Sequence, residues 1–102
     1  MPIYKTAQFQ IRPVGLEKAK QAIRDFVAYV KQHEPQTQLY TSMQEAEDET
    51  RFLHFFIFED AAAEERHRTS DGVNRFVELL YPETVDGVVF TDYTVLASTH
   101  DG

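Results

Sequence analysis

The alternation of apolar and polar residues along the chain predicts four β-strands. Within residues 3–12, three apolar side chains alternate with polar ones, which is the period of two expected for a strand with one buried face. Residues 37–44 show the same alternation, and residues 51–59 form a third run that is rich in phenylalanine. Gly87 opens a fourth run, residues 88–97. A short polar connector joins the second and third runs, which favours an antiparallel hairpin.

Apolar residues at spacings of three and four predict the helices. The first such stripe extends through residues 16–30, and the helix is expected to end before Pro35. A second helical region begins with Asp60 as its cap and is broken near Ser70, beyond which an apolar stripe continues over residues 73–80. The chain therefore offers helices that can each bury one face against a sheet.

The order of these elements indicates the fold class. Strand, helix, two strands, a broken helix and a strand give β-α-β-β-α-β, the ferredoxin-like arrangement. This is an α+β fold in which a four-stranded antiparallel sheet carries its helices on one face. The sequence contains no linker or internal repeat, so residues 1–102 are expected to form a single domain.

The third strand is apolar on both of its faces. The even-numbered positions of residues 52–58 carry three phenylalanines and His54, and the other face carries Leu53, Phe55 and Ile57. The helices can cover only one face, and burying a phenylalanine is worth about 2 kcal/mol, so the other face should also be covered. A second sheet is the expected cover, and the sequence predicts a homodimer formed through the sheet face.

Charge and cysteine content restrict the expected partners. The 17 acidic and 10 basic side chains give a formal net charge of −7, which repels phosphate backbones and anionic lipid headgroups. Neither nucleic acid nor a membrane is therefore an expected partner. The lack of cysteine excludes thiolate metal sites and cysteine nucleophiles. The first residues lack the apolar region of a signal peptide, and a cytoplasmic location is expected.

A family resemblance is carried by the end of the third strand and the helices that follow. The strand ends in an acidic pair at residues 59–60, a short helix carries Ala63 and His67, and Ser70 and Phe76 follow. This pattern resembles the antibiotic biosynthesis monooxygenase family. The resemblance implies a dimeric α+β barrel, in a family that includes cofactor-independent oxygenases of quinol-like polycyclic aromatics as well as heme-degrading enzymes.

Two departures from the family pattern bear on the chemistry. The family often carries a tryptophan late in the third strand, whereas this chain has none. Many members also have a second histidine just after the serine or threonine, where this chain has Asp71 and Gly72. The heme-degrading branch therefore resembles this chain least, and no cofactor is expected.

His54 and His67 are the candidate catalytic residues. An imidazole among phenylalanines would be desolvated and neutral near pH 7, and could take a proton from an acidic phenol. His67 shares a helix face with Ala63 and Ser70, and that face is expected to look toward the sheet. The alternatives are a hydrogen-bonded structural histidine at position 54 and a surface histidine near a helix C-terminus at position 67.

Further residues are candidates for binding the substrate, because hydroxyl and guanidinium groups can hydrogen-bond to quinone oxygens while aromatic rings stack on the substrate. These candidates are Tyr40, Arg51, Phe56, Phe76 and Tyr93. Each has a structural role as its alternative. No metal ligand is predicted, since a two-histidine, one-carboxylate iron site from the two histidines and Glu59 or Asp92 has no recognised spacing.

The resemblance and the candidate residues together predict a cofactor-independent monooxygenase of a quinol-like or polycyclic aromatic substrate. Deprotonating a hydroquinone makes it electron-rich enough to react with oxygen directly, so neither flavin nor metal is needed. The alternative is a non-catalytic small-ligand-binding or stress-response protein of the same fold. The two functions differ in whether a general base faces the ligand, which depends on how His54 and His67 are oriented.

Overall fold

A computed structural model describes residues 1–100 of the chain. The strands are β1 (Ile3–Ile11), β2 (Thr37–Gln44), β3 (Arg51–Phe58) and β4 (Thr84–Tyr93), and the helices are α1 (Leu16–His33), α2 (Ala61–Arg68) and α3 (Asp71–Leu80). Single turns of 3-10 helix, Pro13–Gly15 and Tyr81–Glu83, precede α1 and β4. The prediction of an α+β ferredoxin-like fold is confirmed, with the second helical region divided into α2 and α3.

The four strands form one sheet in the order β2-β3-β1-β4, and each neighbouring pair is antiparallel. The helices lie on one face, which we call the inner face, and the buried side chains of β3 point toward them: Phe52, His54, Phe56 and Phe58. The opposite, outer face carries Leu53, Phe55 and Ile57, which are only partly buried in the single chain. The alternation predicted for β3 is therefore confirmed.

Side-chain caps explain where the short helices begin. The Asp60 carboxylate accepts a hydrogen bond from the backbone N–H of Ala63, and this starts α2. The Ser70 hydroxyl accepts one from the backbone N–H of Val73, and this starts α3. Ser70 therefore accounts for the break between the two helices.

The last strand differs from the prediction at both ends. It begins at Thr84 and ends at Tyr93, whereas the sequence indicated residues 88–97. Asp86 and Gly87 have φ angles of 64° and 79°, and they form a bulge within the strand rather than its start. The prediction that Gly87 opens the last strand is therefore wrong, because Gly87 lies within β4 and interrupts it.

The buried side chains form two clusters on the inner face. The larger one joins α1 and α3 to the sheet and includes Phe26, Phe52 and Phe76. The smaller one consists of Ala7, Phe56, Phe58 and Ala63. Among residues 1–100, no helix is both long enough and apolar enough to cross a bilayer.

Candidate functional site

A cavity of about 570 Å³ lies between the inner face of the sheet and the helices. Its walls are mainly aromatic and come from every layer of the fold: Phe26 of α1, Phe56 of β3, Phe76 of α3 and Phe90 of β4. Phe90 is 57% exposed, because β4 is an edge strand at the open side of the cavity. The space is thus walled by rings and reached from one edge of the sheet.

His54 lies at the inner wall of this cavity and is 1% exposed. Its Nδ1 is 2.7 Å from the hydroxyl oxygen of Tyr40, whereas its Nε2 is buried without a hydrogen-bond partner among the described residues. Burial lowers the pKa of His54 to about 4. The imidazole is therefore neutral at pH 7, as the sequence predicts for a histidine among phenylalanines.

Tyr40 reaches His54 because of the register between β2 and β3. Tyr40 pairs with Phe56 and Ser42 pairs with His54, so the two side chains are diagonal neighbours on the inner face. The Tyr40 ring stacks on Phe56 with 5.0 Å between ring centroids. Burial raises the pKa of Tyr40, so its hydroxyl remains protonated.

His67 projects from α2 to the same cavity and is held by Glu34, which directly follows α1. The Nδ1 of His67 is 2.8 Å from Oε1 of Glu34, and the side chains are 12% and 9% exposed. The hydroxyl of Thr37 donates to the same carboxylate oxygen at 2.8 Å. Burial alone would raise the pKa of Glu34, but the hydrogen bond and charge of His67 oppose it, and the pKa is lowered. Glu34 is therefore a carboxylate at pH 7.

The structure brings five of the seven residues singled out from the sequence to this cavity. His54, His67, Tyr40, Phe56 and Phe76 all line it.

Arg51 and Tyr93 lie elsewhere. Arg51 forms an ion pair with Asp48, with 3.3 Å between nitrogen and oxygen. Tyr93 pairs with Tyr4, which is opposite Ile57 on the outer face. Neither side chain lines the cavity, which corrects their assignment to its wall.

Several polar residues at the cavity were not singled out from the sequence. Lys5 and Glu64 form an ion pair at the wall, and Asp92 is 3.4 Å from the Lys5 ammonium. Burial alone would lower the pKa of Lys5, but these carboxylates outweigh it and raise the pKa. Asn74 of α3 also lines the cavity. Strand alternation puts Lys5 on the same face as Ala7, so this residue could have been found.

The part of the chain that the structure describes contains no cluster of side chains that could bind a metal ion. Within residues 1–100, no three histidine, aspartate or glutamate side chains are grouped so that they could hold an ion. The Nδ1 atoms of His54 and His67 are bound to protein groups instead.

The fold is shared with several solved structures. A protein from Bacteroides thetaiotaomicron assigned to the antibiotic biosynthesis monooxygenases matches with a TM-score of 0.90 at 17% identity, over 99% of this chain and 95% of that one. SnoaB, a cofactor-independent oxygenase from Streptomyces nogalater, matches with a TM-score of 0.83 at 11% identity, over 98% of each chain. Rv0793 from Mycobacterium tuberculosis matches with a TM-score of 0.77 at 19% identity, over 98% of this chain and 100% of that one. At these identities the likeness establishes the fold alone.

The family is established by the sequence itself. No curated protein matches the chain. The family model described as antibiotic biosynthesis monooxygenase matches residues 2–79, which include β1 to α2 and most of α3. This range contains His54, His67 and Tyr40. Since the match extends over most of the sequence, the chain belongs to the antibiotic biosynthesis monooxygenase family.

Proposed function

We propose that the chain is a cofactor-independent monooxygenase acting on a quinol-like or polycyclic aromatic substrate. The observation that carries the proposal is an aromatic-walled cavity containing two histidines, His54 and His67. Each has its Nδ1 bound to a protein side chain, and Nε2 is the ring nitrogen without a protein hydrogen-bond partner among the described residues. A phenolic substrate needs such a group, because its hydroxyl must lose a proton before the ring becomes electron-rich.

The dimensions of the cavity suit a planar aromatic ligand. A volume of about 570 Å³ is within the range found for small-molecule sites, which are apolar with a few polar groups that fix orientation. Tyr40 and Phe56 present stacked rings on the sheet side, and Phe26 and Phe76 do so on the helix side. Phe26 also meets Tyr40 edge to face, with 5.2 Å between ring centroids, so the four rings form one continuous aromatic wall on which a flat substrate can stack.

The chemistry requires oxygen and the substrate alone. A cavity histidine takes the phenolic proton, and the resulting anion supplies the electrons for a bond between a ring carbon and molecular oxygen. The peroxide anion takes the proton back from the histidine, and the hydroperoxide then loses water as its O–O bond and the C–H bond of the same ring carbon break. A quinone remains, so one oxygen atom enters the product and the other leaves as water. The substrate is oxidised and oxygen is reduced, without a separate reductant.

Oxygen uptake by the metal-free protein, measured against a panel of hydroquinones and polycyclic phenols, tests the proposal. We expect uptake above autoxidation that falls by about 10²–10⁴-fold in His54→Ala or His67→Ala, the range for loss of a positioned acid or base. The matched control is His33→Ala, because His33 is exposed at the end of α1 and contacts Tyr29. Ligand binding without uptake across the panel would instead support the non-catalytic ligand-binding function.

A homodimer formed through the outer face is part of the proposal. Leu39, Met43 and Val89 are 38%, 45% and 62% exposed on this face, next to the partly buried Phe55. Covering such a surface with a second sheet removes apolar area from water. In sedimentation velocity we expect the wild type to have the mass of two chains. The Phe55→Asp variant should have the mass of one chain, because a charge would be placed in the dimer interface. Val14→Asp is the control, since Val14 is 86% exposed in the 3-10 turn before α1. A wild-type mass of one chain at micromolar concentration, unaffected by dilution, would refute the dimer.

A further inference from the structure

The two histidines of the cavity are held by chemically different partners. His67 is bound through Nδ1 to the carboxylate of Glu34, and His54 is bound through Nδ1 to the hydroxyl of Tyr40. A carboxylate only accepts hydrogen bonds, whereas a hydroxyl can donate. The hydrogen-bond partner of each imidazole therefore influences which ring nitrogen carries the proton.

For His67 the partner fixes the proton on Nδ1. The ionised Glu34 accepts from both the Thr37 hydroxyl and the His67 ring, so the hydrogen between the ring and the carboxylate is on Nδ1. Nε2 then carries a lone pair. When Nε2 takes up a proton, the imidazolium is already paired with a carboxylate at 2.8 Å, which stabilises the positive charge. The other groups packed on the His67 ring are aromatic, notably Phe58 and Tyr40.

For His54 the partner places the proton on the other nitrogen. The protonated Tyr40 hydroxyl has no acceptor other than His54 Nδ1 among the described residues. If Tyr40 donates to Nδ1, the Nε2–H of His54 is the one group of the pair that is left without a partner among the described residues. The reverse arrangement leaves two such groups, the buried hydroxyl hydrogen of Tyr40 and the Nε2 lone pair of His54. Nε2 of His54 is then an N–H group. A second proton on this ring would be buried among Phe9 and Phe76 without a counter-charge.

We infer that Glu34 is a positioning residue that makes His67 the proton acceptor of the cavity, and that Tyr40 makes His54 a hydrogen-bond donor to the resulting oxyanion. In this step the substrate O–H bond breaks, its proton bonds to Nε2 of His67, and the electron pair stays on the phenolic oxygen. The Nε2–H of His54 then stabilises the negative oxygen. The substrate class rests on the proposed function, whereas the protonation states of the two rings do not.

Nitrogen-15 NMR of the histidine side chains at pH 8 tests the protonation states without any substrate. Spectra of His54→Phe and His67→Gln assign the two rings. We expect Nδ1–H for His67 and Nε2–H for His54. Glu34→Gln should keep the His67 form, because its amide oxygen still accepts, whereas Glu34→Ala should lose it. A wild-type His67 carrying its proton on Nε2, or a His54 carrying it on Nδ1, would overturn the inference whether or not the variants fold.

Proton transfer can be measured separately from oxidation with 4-nitro-1-naphthol under argon, since the anion of this bicyclic phenol absorbs visible light. At a pH where the free naphthol is mostly protonated, we expect the wild type to bind the anion. The anion-to-phenol ratio of the bound probe should fall about tenfold or more in Glu34→Gln, because a charged acceptor is replaced by a neutral one. The control is Glu17→Gln, since Glu17 is an exposed residue of α1 paired with Lys20.

The outcomes separate the inference from the proposed function. An unchanged ratio in Glu34→Gln, or a fall equal to that in Glu17→Gln, would refute the role of Glu34. Ionisation of the naphthol that depends on Glu34, together with no oxygen uptake on any quinol, would refute the oxygenase and leave the assignment of the proton acceptor intact. Oxygen uptake that is insensitive to Glu34→Gln would refute the assignment and leave the oxygenase.

Discussion

Replacing His54 by phenylalanine should make the stability of the protein less sensitive to acid. His54 is 1% exposed, and burial lowers its pKa from the ordinary value of 6.5 to about 4. In the unfolded chain the ring is solvated and titrates near the ordinary value. Between these two pKa values the unfolded state therefore binds a proton that the folded state does not.

The sign and size of the effect follow from linkage. Where the unfolded state binds more protons, stability rises with pH, so the free energy of unfolding falls as the pH drops from about 6.5 to about 4. The pKa values of His54 in the unfolded and folded states differ by about 2.5, and each pKa unit corresponds to about 1.4 kcal/mol. The free energy of unfolding therefore falls by about 3 kcal/mol in total. Between pH 7 and pH 5 the same relation gives a loss of about 2 kcal/mol. His54→Phe removes this contribution.

Urea unfolding at pH 7 and pH 5, at one protein concentration, measures the effect. We expect the wild type to lose about 2 kcal/mol more than His54→Phe between the two pH values. The substitution also leaves the Tyr40 hydroxyl without its partner, but that cost is the same at both pH values and cancels in the comparison. His33→Ala serves as the control for loss of an exposed histidine. Equal losses in wild type and His54→Phe would refute the argument that His54 is neutral because it is buried.

Three further substitutions test individual contacts of the fold. Tyr40→Phe should lower the free energy of unfolding by about 1–3 kcal/mol by leaving a buried nitrogen unpaired, and a double-mutant cycle with His54→Phe in urea should show less than additive loss. Gly15→Ala should lower the melting temperature in calorimetry, because its Cβ would lie 2.1 Å from Oε1 of the buried Glu83; an unchanged value would contradict this contact. Asp60→Ala should cost about 1 kcal/mol in urea unfolding by removing the cap of α2, and no loss would show that the cap is dispensable.

The alternation within β3 was sufficient to predict which of its residues face the cavity. His54 and Phe56 have even numbers within β3 and are buried on the inner face, as the period of two requires. The same rule places Arg51 with Leu53 and Phe55 on the outer face. Applied consistently along the strand, the period of two is therefore enough to exclude Arg51 from the cavity.

The position of Tyr93 could not be obtained in this way. Asp86 and Gly87 form a bulge in β4, and two residues inserted on one strand change its pairing with β1. Because the bulge contains two residues, even-numbered positions such as Thr84 and Phe90 face inward on both sides of it, and Tyr93 faces outward. The sequence does not show which set faces inward, since Val88, Val89 and Phe90 are all apolar. The contact of Tyr40 with His54 is likewise not readable from the sequence, because it depends on how β2 pairs with β3.

Glu34 illustrates a different limit. It lies immediately after α1, where the helical period has ended, and its partner His67 is 33 positions further along the chain. A glutamate at the end of a helix is usually solvated, so nothing local distinguishes this one. Only the packing of α2 against the end of α1 and β2 makes it a buried carboxylate. The residue we infer to control proton transfer is thus defined by tertiary structure.

The cavity divides what would otherwise be a continuous core. The two buried clusters on the inner face both border it, and the rings around a space of about 570 Å³ have fewer packing neighbours than a filled interior provides. A ligand that fits should therefore stabilise the native state, by about 2.7 kcal/mol at a hundred times its Kd. Ala7→Leu would project a larger side chain into the same space and should weaken this stabilisation in thermal unfolding. A compound that stabilises wild type and Ala7→Leu equally would have to bind elsewhere, and its effect would not be evidence for this site.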